Sequence, residues 1–291
     1  MMFKLITTGY FYADGGAMFG AIPKATWNRS YPSDKRNLCV LAMHAGVVKT
    51  EDGHTIVVDP GVGLDRLHDS PAVYYRFFDM IDIAESLRKI GIALEEVTDV
   101  VLTHLHFDHC GAAIQTKEDG SLTPLFPNAA HWVSRAQYET ERNPHPLEAD
   151  AFLPKNTEIL NKAGLLRLVE ATIEPCDSMR IELYDGHTMG QVVAFIKAGE
   201  GALCAGEIGE MGNGAMLVFT GDVVPLASHI IPERISAYDL YPTCSYDGKV
   251  SLLEKATSKD AIFVFYHDAY TACATLKKTG NYYKIAKKID R

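Results

Sequence analysis

One run, residues 100–111, constrains this chain most, because it joins an apolar stretch to several potential metal ligands. Residues 100–102 are aliphatic, which is typical of a buried strand, and the polar groups follow where that strand is expected to end. These groups are His104, His106, Asp108 and His109. Because such groups are costly to gather without a partner, the run predicts a metal site rather than a loop that is rich in His and Asp by chance.

The chemistry of these side chains narrows the choice of ion. Neutral imidazole and carboxylate together suit Zn²⁺, although they also accept Mn²⁺, Fe²⁺, Co²⁺ or Ni²⁺. Four such ligands in six residues do not easily serve one tetrahedral ion. We therefore predict two adjacent divalent metal ions as cofactors, with zinc as the favoured metal.

The spacing His104-x-His106-x-Asp108-His109 resembles the signature of the metallo-β-lactamase-fold hydrolases. Three later segments fit the same pattern: a His in a Gly-His-Thr context, an Asp that closes an apolar strand, and a His that ends a further strand. These residues are His187, Asp222 and His267. The resemblance implies two triads and a bridge: His104, His106 and His187 for one metal, Asp108, His109 and His267 for the other, and Asp222 between them.

The resemblance also implies an α/β fold that is built as a four-layer αββα sandwich. Residues 37–45 and 54–59 are predicted to form a hairpin, and residues 79–90 have the apolar spacing of an amphipathic helix. This order of hairpin, helix and metal-site strand fits packed layers of helix and sheet. With 291 residues, 47% of them hydrophobic, the chain can bury a full core, and we predict one hydrolase domain over residues 1–291.

Further elements are predicted elsewhere in the chain. Residues 3–11 and 130–133 are predicted to be strands, and residues 135–142 and 158–166 short helices. Residues 199–214 are rich in glycine, but they contain no Lys or Arg and their three Glu residues would repel an anion, so a phosphate-binding loop is disfavoured. We expect a mobile hairpin connection there.

Charge and composition exclude several classes of function. A net charge of −9 and a pI near 5.6 disfavour a nucleic acid as the main partner. The six cysteines include no C-x-x-C pair, which predicts reduced thiols. The N-terminal apolar stretch is shorter than the core of a signal peptide, and no segment approaches a membrane span. The expected location is the cytoplasm, with no membrane partner.

An unusually apolar loop at residues 14–24 is a candidate pocket wall. Its segment Asp-Gly-Gly-Ala-Met-Phe-Gly, followed by Pro-Lys and Trp, resembles the quorum-quenching N-acyl-homoserine lactonases and similar hydrolases. The residues alone leave core packing or a homodimer contact as alternatives. The predicted pocket residues are Met18, Phe19, Trp27, Phe107 and His229.

Two other positions bear on the site. Asp59 ends the second hairpin strand, and it is predicted either to orient a ligand as an outer-shell partner or to form the turn before Pro60. Some homoserine-lactonase relatives carry a Tyr three residues after the bridging Asp, whereas this chain has Pro225 there. This departure puts lactone chemistry in question and requires another group in that role.

These features predict a dinuclear hydrolase of an ester-like bond. Two metal ions about 3.5–4 Å apart would hold a bridging hydroxide as the nucleophile, and Asp108 would carry a proton to the leaving group. The favoured substrate is a small, neutral and partly apolar lactone of the N-acyl-homoserine type. The alternatives are a thioester hydrolase, a phosphoester or phosphotriester hydrolase, and a metal-stabilised binding protein without turnover.

Overall fold

Among the residues that the structure describes, the strands form two sheets and one separate hairpin. The structure is a computed structural model that describes residues 2–67, 75–197, 203–204 and 215–289. The strands in these ranges are β1 (Met2–Asp14), β2 (Leu38–Lys49), β3 (Thr55–Val58), β4 (Asp99–Val101), β5 (Ile114–Thr116), β6 (Leu122–Pro124), β7 (Ala130–Ser134), β8 (Leu166–Val169), β9 (Ile173–Cys176), β10 (Met179–Tyr184), β11 (Gln191–Lys197), β12 (Leu203–Cys204), β13 (Met216–Phe219), β14 (Ile262–Val264), β15 (Cys273–Thr279) and β16 (Tyr282–Ile289).

Helices connect and cover these strands. The α-helices of the described ranges are α1 (Gly15–Phe19), α2 (Lys24–Trp27), α3 (Ile83–Lys89), α4 (Phe107–Cys110), α5 (Arg135–Arg142), α6 (Pro154–Lys162) and α7 (Pro242–Thr257). Short 3-10 helices span Leu64–Arg66, Leu94–Glu96, Gly111–Ala113, Ala149–Ala151, Gly221–Val223 and Ala227–Ile230. None of the helices in this part of the chain is long and apolar enough to cross a bilayer.

The order of the strands brings particular loops to one end of the molecule. The first sheet has the order β12-β1-β2-β3-β4-β7-β8, and the second has the order β16-β15-β14-β13-β11-β10-β9. β3, β4, β7 and β8 run parallel to one another. Because parallel strands place their carboxyl ends at the same edge, the loops after β3 and β4 meet at one end of the sandwich.

The space between the two sheets is filled by every second residue of their strands. In β3, Ile56 points into this space and Val57 points to the outer face. In β11, Ala194 points inward and Val193 outward. Consecutive side chains of a strand point to opposite faces, so these apolar runs make both faces of each sheet apolar. Both faces must therefore be covered by other parts of the chain.

Helices cover the outer apolar face of each sheet. On the first sheet, Leu87 of α3 and Leu160 of α6 belong to the same buried cluster as Val57. On the second sheet, Leu252 of α7 belongs to the cluster that contains Val193. The layers are therefore helix, sheet, sheet and helix, and the predicted four-layer αββα sandwich is confirmed.

The predicted helices differ from the structure mainly at their ends. The helix predicted over residues 79–90 spans only Ile83–Lys89, because the Asp82 side chain caps it by accepting a 2.7 Å hydrogen bond from Ala84 N. The helix predicted over residues 158–166 spans Pro154–Lys162, because Pro is favoured in the first turn and β8 begins soon afterwards. The helix predicted over residues 135–142 is confirmed by α5.

The predicted strands are present with different lengths. β1 and β2 extend beyond residues 3–11 and 37–45, because they pair with each other from Met2 to Asp14. The strand over residues 130–133 is confirmed by β7. The loop at residues 14–24 contains α1 and the start of α2. The connection predicted over residues 199–214 lies outside the described residues except for β12.

Candidate metal centre

Loops from both sheets carry the predicted ligands to one end of the sandwich. After β4 the chain passes through His104 and His106, and the first turns of α4 hold Asp108 and His109. The second sheet contributes the rest from the loop after β10, the turn after β13 and the turn after β14. These ligands are His187, Asp222 and His267.

Three histidines form the first set. One ring nitrogen from each of His104, His106 and His187 lies within 4.8 Å of the other two. His106 Nδ1 and His187 Nε2 are 3.1 Å apart. His104 is fully buried, and its Nε2 has no hydrogen-bond partner in the described part of the chain. A buried nitrogen without a partner costs free energy, and a cation that accepts its lone pair removes that cost.

Two histidines and a carboxylate form the second set. Donor atoms of Asp108, His109 and His267 also lie within 4.8 Å of one another. His109 Nε2 is 3.2 Å from His267 Nε2, and Asp108 Oδ2 is 3.4 Å from the same His267 atom. This set therefore offers two imidazoles and one carboxylate to a second cation.

Asp222 lies between the two sets. Its Oδ1 is 3.4 Å from His109 Nε2 and 3.3 Å from His267 Nε2. Its Oδ2 is 3.5 Å from His187 Nε2 in the other set. Each oxygen thus faces one set of potential metal ligands.

The facing Nε2 atoms of His109 and His267 both carry lone pairs when the two rings are neutral. His267 Nδ1 donates to the Ala42 carbonyl at 2.8 Å, and His109 Nδ1 donates to Asp59 Oδ2 at 2.9 Å. With its one ring proton on Nδ1, each neutral imidazole presents a lone pair at Nε2. Two such lone pairs 3.2 Å apart repel each other, and a proton or a metal ion between them removes that repulsion. The residues present therefore fit a metal ion.

The charges of the site also favour a cation. Burial lowers the pKa of His104, and the neighbouring His109 and His106 act in the same direction, so its ring is neutral and able to bind a metal. Burial also lowers the pKa of His109, but Asp108 and Asp222 outweigh that effect and raise it well above its ordinary value. The negative charge that attracts a proton here equally attracts a divalent ion.

Asp59 lies directly behind a ligand of the second set. It is 1% exposed, and its Oδ2 accepts the bond from His109 Nδ1. The same carboxylate accepts bonds from Thr103 N at 2.8 Å and Thr103 Oγ1 at 2.6 Å. These contacts hold the His109 ring with its Nε2 toward the site, which is the geometry expected of an outer-shell partner.

Two more carboxylates lie beside the first set and have no motif in the sequence. His187 Nδ1 donates to Asp239 Oδ1 at 3.0 Å. Glu148 Oε2 lies 3.7 Å from His106 Nε2 and accepts a 2.8 Å hydrogen bond from Thr188 Oγ1. Both acids come from loops far along the chain from the residues they contact, so local spacing carried no signal of their role.

A cavity of about 310 Å³ opens onto the ligands. Among the predicted pocket residues, Met18 and Phe107 line it. Apolar groups that the sequence prediction omitted line it as well, including Phe11 and Leu147. The catalytic candidate Asp108 also lines this cavity. A mixture of apolar walls and ionisable groups at one end is typical of a small-molecule site.

The other three predicted pocket residues lie behind the wall rather than in it. Phe19, Trp27 and His229 are at most 1% exposed. The Phe19 ring stacks on Trp27 with centroids 4.6 Å apart and on His229 with centroids 5.0 Å apart. His229 Nε2 donates to the Met18 carbonyl at 2.9 Å. Their apolar surface is buried by stacking, so they support Met18 and do not contact the cavity.

Comparison with known proteins assigns the family. The family model described as "Metallo-beta-lactamase superfamily" matches residues 42–267. The chain belongs to the metallo-β-lactamase superfamily. Its fold is the one that the sequence resemblance implied, and members of this superfamily bind metal ions.

Relatives within the metallo-β-lactamase superfamily include lactonases. The N-acyl homoserine lactonase AiiB of Agrobacterium fabrum is 22% identical over 206 residues, covering 70% of this chain and 68% of that protein. A probable metal-dependent hydrolase from Staphylococcus aureus superposes with a TM-score of 0.84 at 25% identity, covering 99% of this chain and 96% of that chain. The dizinc quorum-quenching lactonase AidC superposes with a TM-score of 0.73 at 18% identity, covering 98% and 93%.

Proposed function

We propose that residues 1–291 form one dinuclear zinc hydrolase domain that opens a lactone of the N-acyl-homoserine type. One metal would be held by His104, His106 and His187, the other by Asp108, His109 and His267, with Asp222 between them. The observation that carries the proposal is Asp222, which presents one oxygen to each set of ligands. Two ions, rather than one, make use of both oxygens.

The chain's own residues supply positioning and proton transfer. Two bound zinc ions would contribute the activation of water and Lewis acidity. Water attacks the lactone carbonyl carbon, and the ring carbon–oxygen bond then breaks to give an alkoxide that needs a proton. Asp108 lines the cavity beside the reacting centre, so its carboxyl group takes up the proton of the attacking water and delivers it to the alkoxide.

The cavity walls favour a neutral substrate over an anionic one. The described residues that line the cavity include five acidic ones and no Lys or Arg, so a phosphate dianion finds no cationic side chain to pair with. The acidic residues are Asp108, Glu148, Asp150, Asp222 and Asp239. Phe11, Met18 and Leu147 offer apolar surface to an acyl chain. The lactonases among the relatives, including AidC with its bound N-acyl homoserine product, support the same substrate class.

Two tyrosines supply hydrogen-bond donors to the cavity. Tyr75 and Tyr238 both line it, and their side chains lie near enough to affect each other's pKa. Burial raises the pKa of Tyr238, so its hydroxyl is a neutral donor. Pro225 lines the same cavity and has no donor. We therefore assign contact with the substrate carbonyl to this tyrosine pair.

Replacing Tyr238 with Phe is expected to lower kcat/KM for the lactone about tenfold, because one hydrogen bond of about 1.4 kcal/mol is lost in the transition state. The measurement is steady-state kinetics with a homoserine lactone. Tyr246→Phe is the matched control, since both tyrosines are 40% exposed and Tyr246 lies outside the cavity lining. Equal rates for the two variants would remove Tyr238 from the substrate contact.

The proposed function is tested with a substrate panel on zinc-loaded protein. N-hexanoyl-homoserine lactone, an aryl thioester and a phosphotriester are compared at equal concentrations. We expect kcat/KM for the lactone to exceed the other two at least a hundredfold, about 2.7 kcal/mol in transition-state stabilisation. Chelation should abolish turnover, and zinc should restore it.

Other outcomes of this panel identify the rival functions. If the thioester or the phosphotriester is hydrolysed faster, that compound replaces the lactone as the proposed substrate, and the protein is still a hydrolase. Full metal content with no turnover of any substrate would instead favour a metal-stabilised binding protein. Hydrolysis that survives complete removal of metal would contradict the metal-dependent mechanism itself.

A further inference from the structure

A second group of metal-ligating side chains lies at the opposite end of the first sheet from the candidate metal centre. Asp59 and His104 follow the carboxyl ends of β3 and β4, whereas His54 and Asp99 stand at their amino ends. His54 is accompanied there by Asp52 from the same hairpin turn and by Cys176 at the end of β9. The catalytic proposal uses none of the groups at this end.

The imidazole of His54 donates one ring N–H to a carboxylate, as metal-binding histidines commonly do. His54 Nδ1 is 2.6 Å from Asp99 Oδ2, so it donates to that carboxylate and Nε2 carries the lone pair. Asp99 is 4% exposed and is itself held by Trp132 Nε1 at 2.8 Å and Thr98 Oγ1 at 2.7 Å. A buried, anchored carboxylate behind an imidazole fixes its tautomer and leaves the lone pair of the opposite nitrogen to bind a cation.

The other two donors come from opposite sheets. Asp52 is exposed, and its Oδ2 accepts a 3.1 Å hydrogen bond from Ser178 N beside β9. Cys176 is half-buried, and its thiol interacts with the Asp52 carboxylate. One donor atom from each of Asp52, His54 and Cys176 lies within 4.8 Å of the others. Zinc bonds place ligand atoms roughly 3.5 Å apart, so a movement of no more than about an ångström brings donors within 4.8 Å to that spacing.

We infer that Asp52, His54 and Cys176 bind a further divalent cation of the zinc class, with water as the fourth ligand. Thiolate, imidazole and carboxylate are the donors that such borderline-soft ions prefer. The thiolate and the carboxylate together balance the two positive charges. Cation binding displaces the thiol proton, so the affinity increases with pH.

This cation would join the two sheets at the end remote from the candidate metal centre. Asp52 and His54 belong to the turn between β2 and β3 of the first sheet, and Cys176 to an edge strand of the second. A ligand that binds only the folded arrangement stabilises it. The site is therefore structural in its effect, and the inference does not depend on which substrate the protein hydrolyses.

Cobalt titration tests this inference, because the ligands at the candidate metal centre include no cysteine. Metal-free protein is titrated with Co²⁺ while near-ultraviolet and visible absorption are recorded. The bound metal is quantified by inductively coupled plasma mass spectrometry. We expect a thiolate-to-cobalt charge-transfer band in the wild-type protein. In Cys176→Ser the band should be absent and one equivalent of metal lost, with zinc-loaded hydrolytic activity unchanged.

Further variants make the result decisive. Asp52→Asn and His54→Gln should each lower the Co²⁺ affinity, measured from the titration of the band, at least tenfold. Cys110→Ser should leave both the band and the affinity unchanged. Cys110 adjoins the candidate metal centre, but its Sγ–H donates to the Leu105 carbonyl at 3.3 Å. A wild-type protein without the band at saturating Co²⁺, or a band that persists in Cys176→Ser, would overturn the inference. Loss of the band in Cys110→Ser alone would do the same.

Discussion

Replacing Asp108 or His109 with Ala is expected to reduce kcat/KM at least about a thousandfold, which corresponds to roughly 4 kcal/mol of transition-state stabilisation. Each change removes one of the three ligands of the second set, in which His109 Nε2 and His267 Nε2 are 3.2 Å apart. The two remaining ligands and the shared Asp222 bind a cation more weakly, so that metal should be lost. Asp108→Ala also removes the carboxyl group that carries the proton.

The measurement combines steady-state kinetics with metal analysis of the purified variants. We expect the metal content of the candidate centre to fall from two equivalents to one. His145→Ala serves as the matched control for His109→Ala, because His145 lies on an exposed loop and faces neither set of ligands. Near wild-type rates in a variant that holds one metal there would contradict the dinuclear mechanism.

Replacing Asp59 with Ala is expected to lower metal affinity at the second set 10- to 100-fold and the free energy of unfolding by about 2–4 kcal/mol. The buried carboxylate accepts three hydrogen bonds, from Thr103 N, Thr103 Oγ1 and His109 Nδ1. Without it the backbone N–H of Thr103 is left buried and unpaired, and the His109 ring loses the contact that directs Nε2. Affinity is measured by competition with a chelator, and stability by chemical denaturation.

Backbone strain at Asp59 has to be separated from these lost hydrogen bonds. Asp59 has a φ of 47°, in the left-handed region that Asp and Asn tolerate better than Ala. Asp79 has the same φ of 47° and is exposed, so Asp79→Ala measures the cost of the backbone alone. Asn tolerates the left-handed backbone at this position, so Asp59→Asn should lower the free energy of unfolding less than Asp59→Ala does. Equal metal affinity in Asp59→Ala and the wild-type protein would exclude an orienting role.

Much of the fold follows from local pattern. Alternation in β3 places Ile56 and Val57 on opposite faces, and this period of two can be predicted without any tertiary information. Element ends were less legible, because they depend on single contacts such as the Asp82 cap of α3. β1 and β2 are longer than their sequence patterns predict, because they pair with each other along the whole of β1.

The sequence by itself determined the family and the sandwich, because strand periodicity and the spacing in His104-x-His106-x-Asp108-His109 are properties of neighbouring residues. Only the tertiary structure decided which apolar groups face the cavity. Phe19 and Trp27 stack behind the wall, while Leu147, from a loop without an apolar pattern, lines it. Packing between loops that are distant along the chain determines such contacts, and no local spacing encodes it.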